Sequence, residues 1–126
     1  MKEKKLVIQI RRSPKDIIAF CLNPQNTPTW VSSFVEEQTN EWPPRVGTIY
    51  RSKNTNGVWS EYKLVALQDA MFEFASMIST YHVRYTLRPL DPNTTELEYF
   101  EWVEEGELEQ PFTLDILQKL KKVLES

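Results

Sequence analysis

Between Ser33 and Glu104 apolar residues recur at every second position, and short turn-forming clusters cut the run at intervals. The breaks fall at Trp42–Gly47, Asn54–Gly57, Gln68–Ala70 and Asp91–Thr94. Alternation bounded in this way marks half-buried strands, here Ser33–Asn40, Thr48–Lys53, Val58–Leu67, Met71–Ser76, Tyr81–Leu90 and Thr95–Glu104. A parallel crossover needs about a dozen residues or more, so connections this short join only antiparallel neighbours. The expected sheet is a meander.

The flanking segments follow a different period. Leu6–Ile10 is rich in Val and Ile and reads as a first strand. Ser13 is placed to cap a helix, with Pro14 at its first position and Asp16 at its third, ahead of the apolar residues Ile17, Ile18, Phe20, Cys21 and Leu22. The helix is expected over Pro14–Leu22. Asn23 and Pro24 then read as the cap and first residue of one further helical turn, which Pro28 ends. Trp30 is expected to plug the space between the two helices and the sheet. At the other end Pro111 is the expected start of a helix running to Glu125. At 100° per residue Phe112, Ile116, Leu117, Leu120, Val123 and Leu124 fall on one face, opposite Asp115, Gln118, Lys119 and Lys122. An amphipathic helix of this kind must lie on something apolar, and a long antiparallel sheet with a single helix to cover it curls round that helix. The fold class is therefore α+β: a curved antiparallel sheet of about seven strands wrapped round a C-terminal helix, with two short helices between the first and second strands.

At 126 residues the chain is expected to form one domain over residues 1–126. A net charge of −3 argues against nucleic acid as the partner, because phosphate recognition needs a concentrated basic surface. The chain has no apolar run long enough to span a bilayer and no signal-peptide core after Met1–Lys5, so a cytoplasmic location is expected. With one cysteine, Cys21, and one histidine, His82, no transition-metal site of the usual ligand set can be assembled, and no cofactor motif is present. Cys21 lies among apolar helical residues and is expected to be a buried, inert thiol. Glu104, Glu105, Glu107 and Glu109 lack the Asp/Asn–Gly spacing of a calcium loop and read as a solvated acidic segment, Glu104–Gln110.

Several local features resemble the helix-grip proteins of the START, Bet v 1 and polyketide-cyclase kind, the SRPBCC superfamily. These are the Asn23-Pro24 turn with Trp30, the Val46-Gly47-Thr48 entry to a strand, the Tyr85-x-Leu87-x-Pro89 strand end, and the Asn93-Thr94-Thr95-Glu96-Leu97 turn. The element order follows that pattern over nearly the whole chain. The resemblance implies a space between sheet and terminal helix that holds a lipid, sterol, polyketide or other small apolar molecule. A minority of such proteins use it for cyclisation, dehydration or hydrolysis, and others act as ligand-triggered regulators or co-chaperone modules. This chain is short for the pattern, which implies a small cavity or one left open for a partner subunit.

Alternation supplies a map of the interior. Tyr81, Val83, Tyr85 and Leu87 share one face, opposite His82, Arg84, Thr86 and Arg88. Leu97, Tyr99, Glu101 and Val103 share a face, as do Phe72, Phe74 and Ser76, and as do Val58, Ser60, Tyr62, Leu64 and Ala66, with Tyr50 joining them. The expected ligand-binding set is Trp30, Tyr50, Tyr62 and Phe74 together with Tyr85, Tyr99 and Leu117. The phenols of Tyr50, Tyr62, Tyr85 and Tyr99 would hold a ligand's polar end, or else bond to backbone in a filled core. Glu101 is the weak candidate for an acid or base, since this register puts a carboxylate on the apolar face; a one-residue bulge would instead turn it outward and bring Phe100 and Trp102 inside. His82 is expected on the outer face. Trp59 and Trp42 are candidates for a partner or homodimer contact. Three functions follow from this set: a binding domain for a small hydrophobic ligand, a cyclase- or dehydratase-like enzyme using Glu101 or a tyrosine, and a protein-interaction module with a filled core. No nucleophile elbow, phosphate loop or Cys–His pair is present.

Overall fold

The computed structural model describes residues 1–109 and 111–126. The elements run β1 (Lys2–Ile10), α1 (Pro14–Leu22), α2 (Thr27–Trp30), β2 (Phe34–Thr39), β3 (Ile49–Asn54), β4 (Trp59–Gln68), β5 (Met71–Ser76), β6 (Tyr81–Asp91), β7 (Thr94–Val103) and α3 (Leu114–Glu125). All seven strands form one antiparallel sheet in the order β1-β7-β6-β5-β4-β3-β2. From β2 to β7 it is the meander that the short connections require, and β1 adds to β7 from the far end of the sequence. The sheet with α3 across it is a helix grip.

β1 is longer than its apolar run, beginning at Lys2 and not at Leu6. β7 supplies pairing partners for the whole stretch, from Ile10↔Thr95 to Lys2↔Val103, and ladder hydrogen bonds recruit the lysine-rich residues despite their weak strand propensity. α1 has the expected bounds, and Ser13 Oγ accepts from the Asp16 amide at 3.2 Å. The second helix differs from expectation. Asn23 closes α1 with its amide on the Phe20 carbonyl, and its side chain turns the chain through a bond from the Gln25 amide. The helical turn follows at Thr27–Trp30 with Pro28 among its first residues, so this proline starts a helix where the sequence pattern had it end one.

α3 also starts late, at Leu114 and not at Pro111. The Phe112 amide donates to Glu101 Oε1 at 3.2 Å, and the Phe112 ring stacks on Tyr99 at 4.7 Å. These tertiary contacts outweigh local helix propensity ahead of Leu114. From there the amphipathic face behaves as its spacing requires: Leu117, Leu120 and Leu124 are buried, Ile116 and Val123 half-buried, and the helix packs on β1 and α2. Gln110, the last residue of the acidic segment, lies outside the described residues; Glu104, Glu105, Glu107 and Glu109 are exposed.

Two bulges alter which side chains face inward. On β4 the register shifts between Leu64 and Ala66, so Leu67, opposite Phe72, packs against the core in place of Ala66. On β2 the shift lies between Phe34 and Glu36, and beyond it Glu37 stands directly opposite the buried Ser52. β7 carries no bulge along Thr94–Val103, and every second residue from Thr95 to Val103 is buried, Glu101 among them.

Candidate functional site

The inner face of the sheet, α2 and the segment before α3 enclose a cavity of about 90 Å³. Its position follows from the alternation on each strand. β3 contributes Tyr50 and Ser52, β4 Tyr62, β5 Phe72 and Phe74, β6 Tyr81, Val83 and Tyr85, and β7 Tyr99. α1 adds Cys21, α2 adds Thr27 and Trp30, and Phe112 closes the wall. The rings form a nearly continuous surface. Phe72 stacks on Tyr85 at 4.4 Å, Tyr85 meets Tyr99 edge-on at 5.2 Å, Phe112 stacks on Tyr99, and Trp30 meets Phe112 edge-on at 6.0 Å. Across the cavity Tyr50 meets Phe74 edge-on at 5.0 Å.

Six of the seven expected ligand-binding residues are brought together in this wall: Trp30, Tyr50, Tyr62, Phe74, Tyr85 and Tyr99. The seventh, Leu117, is fully buried in the core beneath the sheet and does not line the cavity. Two of the four phenols are taken by the protein. Tyr50 Oη donates to the Leu22 carbonyl at 2.6 Å, and Tyr99 Oη donates to Glu101. The Tyr85 hydroxyl has no hydrogen-bond partner among the described residues. Burial holds the phenols of Tyr50, Tyr62, Tyr81, Tyr85 and Tyr99 above their ordinary range, so all are neutral donors at physiological pH.

Glu101 faces inward and is 1% exposed. Oε2 accepts from Tyr81 Oη at 3.0 Å and from Tyr99, while Oε1 takes the Phe112 amide. The carboxylate thus fastens the approach to α3 to the middle of β7 and stands behind the aromatic wall, outside the cavity lining. The carboxylate that does line the cavity is Glu37. Thr27 Oγ1 donates to its Oε1 at 2.6 Å and Ser52 Oγ to its Oε2 at 2.8 Å. Burial pushes its pKa up, and these two hydrogen bonds pull it partly back. Strict alternation from Phe34 puts Glu36 inside and Glu37 outside, and the bulge reverses this. The one trace in the sequence is the adjacent apolar pair Phe34-Val35, of which a half-buried strand can cover only one; Val35 is exposed. Trp30 is 3% exposed, and its indole N–H is buried without an acceptor among the described residues.

His82 lies on the outer face. It stacks on Trp102 at 4.9 Å and meets Glu73 Oε2 at 3.1 Å, while Arg84 Nε donates to Glu73 Oε1 at 2.8 Å. Trp59 lies under Arg51, whose guanidinium is 4.6 Å from the ring centre, and Trp42 is exposed. Among the described residues no three His, Cys, Asp or Glu side chains gather as metal ligands, and no helix is long and apolar enough to cross a membrane.

The seven-stranded antiparallel sheet, the two short helices after β1 and the terminal helix define the START-like, SRPBCC fold. Solved structures share it across almost the full chain. A START superfamily protein from Mycobacterium smegmatis superposes with a TM-score of 0.74 at 16% identity, covering 98% of this chain and 97% of that one. The Aha1 dimer from Colwellia psychrerythraea gives 0.72 at 16% identity over 99% and 97%. The di-domain ARO/CYC protein BexL of the BE-7585A biosynthetic pathway gives 0.67 at 15% identity, covering 82% of this chain and 36% of that longer one. No protein-family model matches the sequence, and no curated protein matches it significantly.

Proposed function

We propose that this protein is a START-type binding domain for a small, largely apolar molecule, held in the cavity walled by Trp30, Tyr50, Tyr62, Phe74, Tyr85 and Tyr99, with Leu117 supporting it from below. One observation carries the reading: an aromatic hollow whose wall includes a carboxylate, Glu37, and a tyrosine hydroxyl, Tyr85, that no described residue bonds. Ligand sites are concave and mostly apolar, with a few convergent polar groups. Native proteins rarely leave a buried donor without an acceptor, and when they do a reason is expected. A ligand acceptor would supply one here. At about 90 Å³ the cavity is smaller than the roughly 300–1,000 Å³ of drug-sized sites, so the ligand is small, or the half-buried rings Phe34, Phe74 and Phe112 shift to admit it. The expected setting is the cytoplasm.

An enzymatic role for Glu101 is the weaker reading, because its carboxylate stands outside the cavity lining. The small volume supports a second alternative, a nearly filled interior with partner binding on the outer face. Trp59 and the His82–Trp102 stack would be the contact there, and a homodimer is one form it could take.

Titration with phenol, followed at the indole N–H signals of the four tryptophans, separates these readings. The Trp30 signal, assigned through Trp30→Phe, is expected to move saturably with one molecule bound. Cys21→Leu, which fills the cavity from α1, should abolish the effect while leaving the protein folded. A shift confined to Trp42 or Trp59, or one that grows linearly without saturating, would refute the binding-domain reading.

A further inference from the structure

On the reading that the cavity binds a small molecule, the chemistry of its wall selects the charge of that molecule. Glu37 brings a carboxylate into an aromatic enclosure, and among the described residues it is bonded by the hydroxyls of Thr27 and Ser52 alone. No lysine, arginine or histidine lines the cavity among the described residues. Buried charges are normally paired, and two neutral hydroxyls replace only part of the hydration that the carboxylate loses. The rest of the wall adds to the same preference, because aromatic ring faces attract cations. Tyr50, Tyr62, Phe74 and Tyr81 are the rings concerned.

The hydroxyl that holds Glu37 Oε1 comes from α2. Thr27 and Trp30 stand three residues apart on α2 and so on the same side of that short helix. Both line the cavity, Thr27 holding Glu37 and Trp30 adding an aromatic ring to the wall. A bare hydrocarbon would leave the Glu37 charge uncompensated, and an anion would meet a carboxylate and the negative faces of the rings.

We infer that the ligand is a small organic ammonium ion, its nitrogen donating to Glu37. The cavity corresponds to about three water volumes, which suits a molecule of on the order of five heavy atoms.

Three probes of nearly equal size test this: methoxyethylammonium, methoxyethanol and methoxyacetate, each titrated at neutral pH while the Trp30 indole N–H signal is followed. The ammonium ion is expected to bind at least about tenfold more tightly than the alcohol, since a charge-assisted hydrogen bond is about twice as strong as a neutral one. Methoxyacetate should not bind. Glu37→Gln keeps the shape of the side chain and should erase the preference, so that within this variant the ammonium ion binds no more tightly than the alcohol. Equal affinity for alcohol and ammonium ion, or a preference that survives in Glu37→Gln, would overturn the assignment of charge and leave the binding-domain reading standing. Saturable binding of none of the three probes, together with no response to phenol, would overturn both.

Discussion

Tyr50→Phe isolates a single hydrogen bond on which the junction of α1 with the sheet depends. Tyr50 is 2% exposed on β3, and its hydroxyl donates at 2.6 Å to the carbonyl of Leu22, the last residue of α1. The final carbonyls of a helix have no partner within it. Asn23 follows in an extended conformation, with φ −81° and ψ 114°, so no left-handed cap folds back to serve them. The Asn23 amide and the Asn26 side chain both reach the Phe20 carbonyl, and Tyr50 serves that of Leu22. Removing the hydroxyl forfeits a buried hydrogen bond, about 1 kcal/mol, and strands a buried carbonyl, about 1–3 kcal/mol in its own right. The ring stays, with its edge-on contact to Phe74, so no large void opens. The expected loss is about 2 kcal/mol, a sizeable share of a typical domain's stability of about 5–15 kcal/mol. For a chain of this length it corresponds to a drop of about 6–10 °C in Tm. Urea melts followed by circular dichroism should show a lower midpoint with an unchanged slope. A loss below about 0.5 kcal/mol would refute the reasoning, since it would mean that the Leu22 carbonyl does not rely on the phenol.

Two further predictions follow from the other engaged carboxylates. Glu101→Leu removes the acceptor of the Tyr81 and Tyr99 hydroxyls and of the Phe112 amide; it should cost about 3 kcal/mol or more and speed proteolysis between Glu104 and Thr113, whereas wild-type stability in a denaturant melt would contradict the clasp. Glu125 is held at a pKa of about 2, below the ordinary 4.5, chiefly by hydrogen bonds from Lys121 and the Arg11 amide. A lowered carboxylate pKa adds stability above the unfolded value, and that stability fades as pH falls toward the folded value. Glu125→Gln should therefore destabilise by about 1 kcal/mol at neutral pH, less than the full shift implies because Arg11 is largely exposed, and the difference from wild type should vanish as pH drops from about 5 to 2. A difference that stays constant over that range in acid titrations of stability would exclude the linkage.

The parts of the fold that were legible are those set by local chemistry. Ser13-Pro14 marks the start of α1, and Met71–Ser76 and the period-two face of β7 are where the alternation puts them, because strand and helix periods are properties of neighbouring residues. Alternation puts Glu101 on the inner face, with a bulge or a rim position as the alternatives; β7 has no bulge there and Glu101 is buried. Glu37 could not be placed, because a single unpaired residue on β2 reverses every side chain after it and nothing in the local sequence compels that shift. The late start of α3 has the same origin: the partner of the Phe112 amide is Glu101, eleven residues earlier and on another element. The participation of Cys21, Thr27 and Phe112 in the cavity depends on how helices and sheet meet, which periodicity does not encode.

The pairing of β1 with β7 governs the order in which the molecule can be finished. Residues 2–10 find their strand partners in residues 95–103, so during synthesis β1 must wait, unpaired, until β7 has been made. Contacts this far apart in sequence raise the entropic cost of closure and slow folding. During synthesis the lysines of β1, Lys2, Lys4 and Lys5, keep that waiting strand charged, and in the finished molecule Lys121 of α3 reaches across to its Gln9 carbonyl.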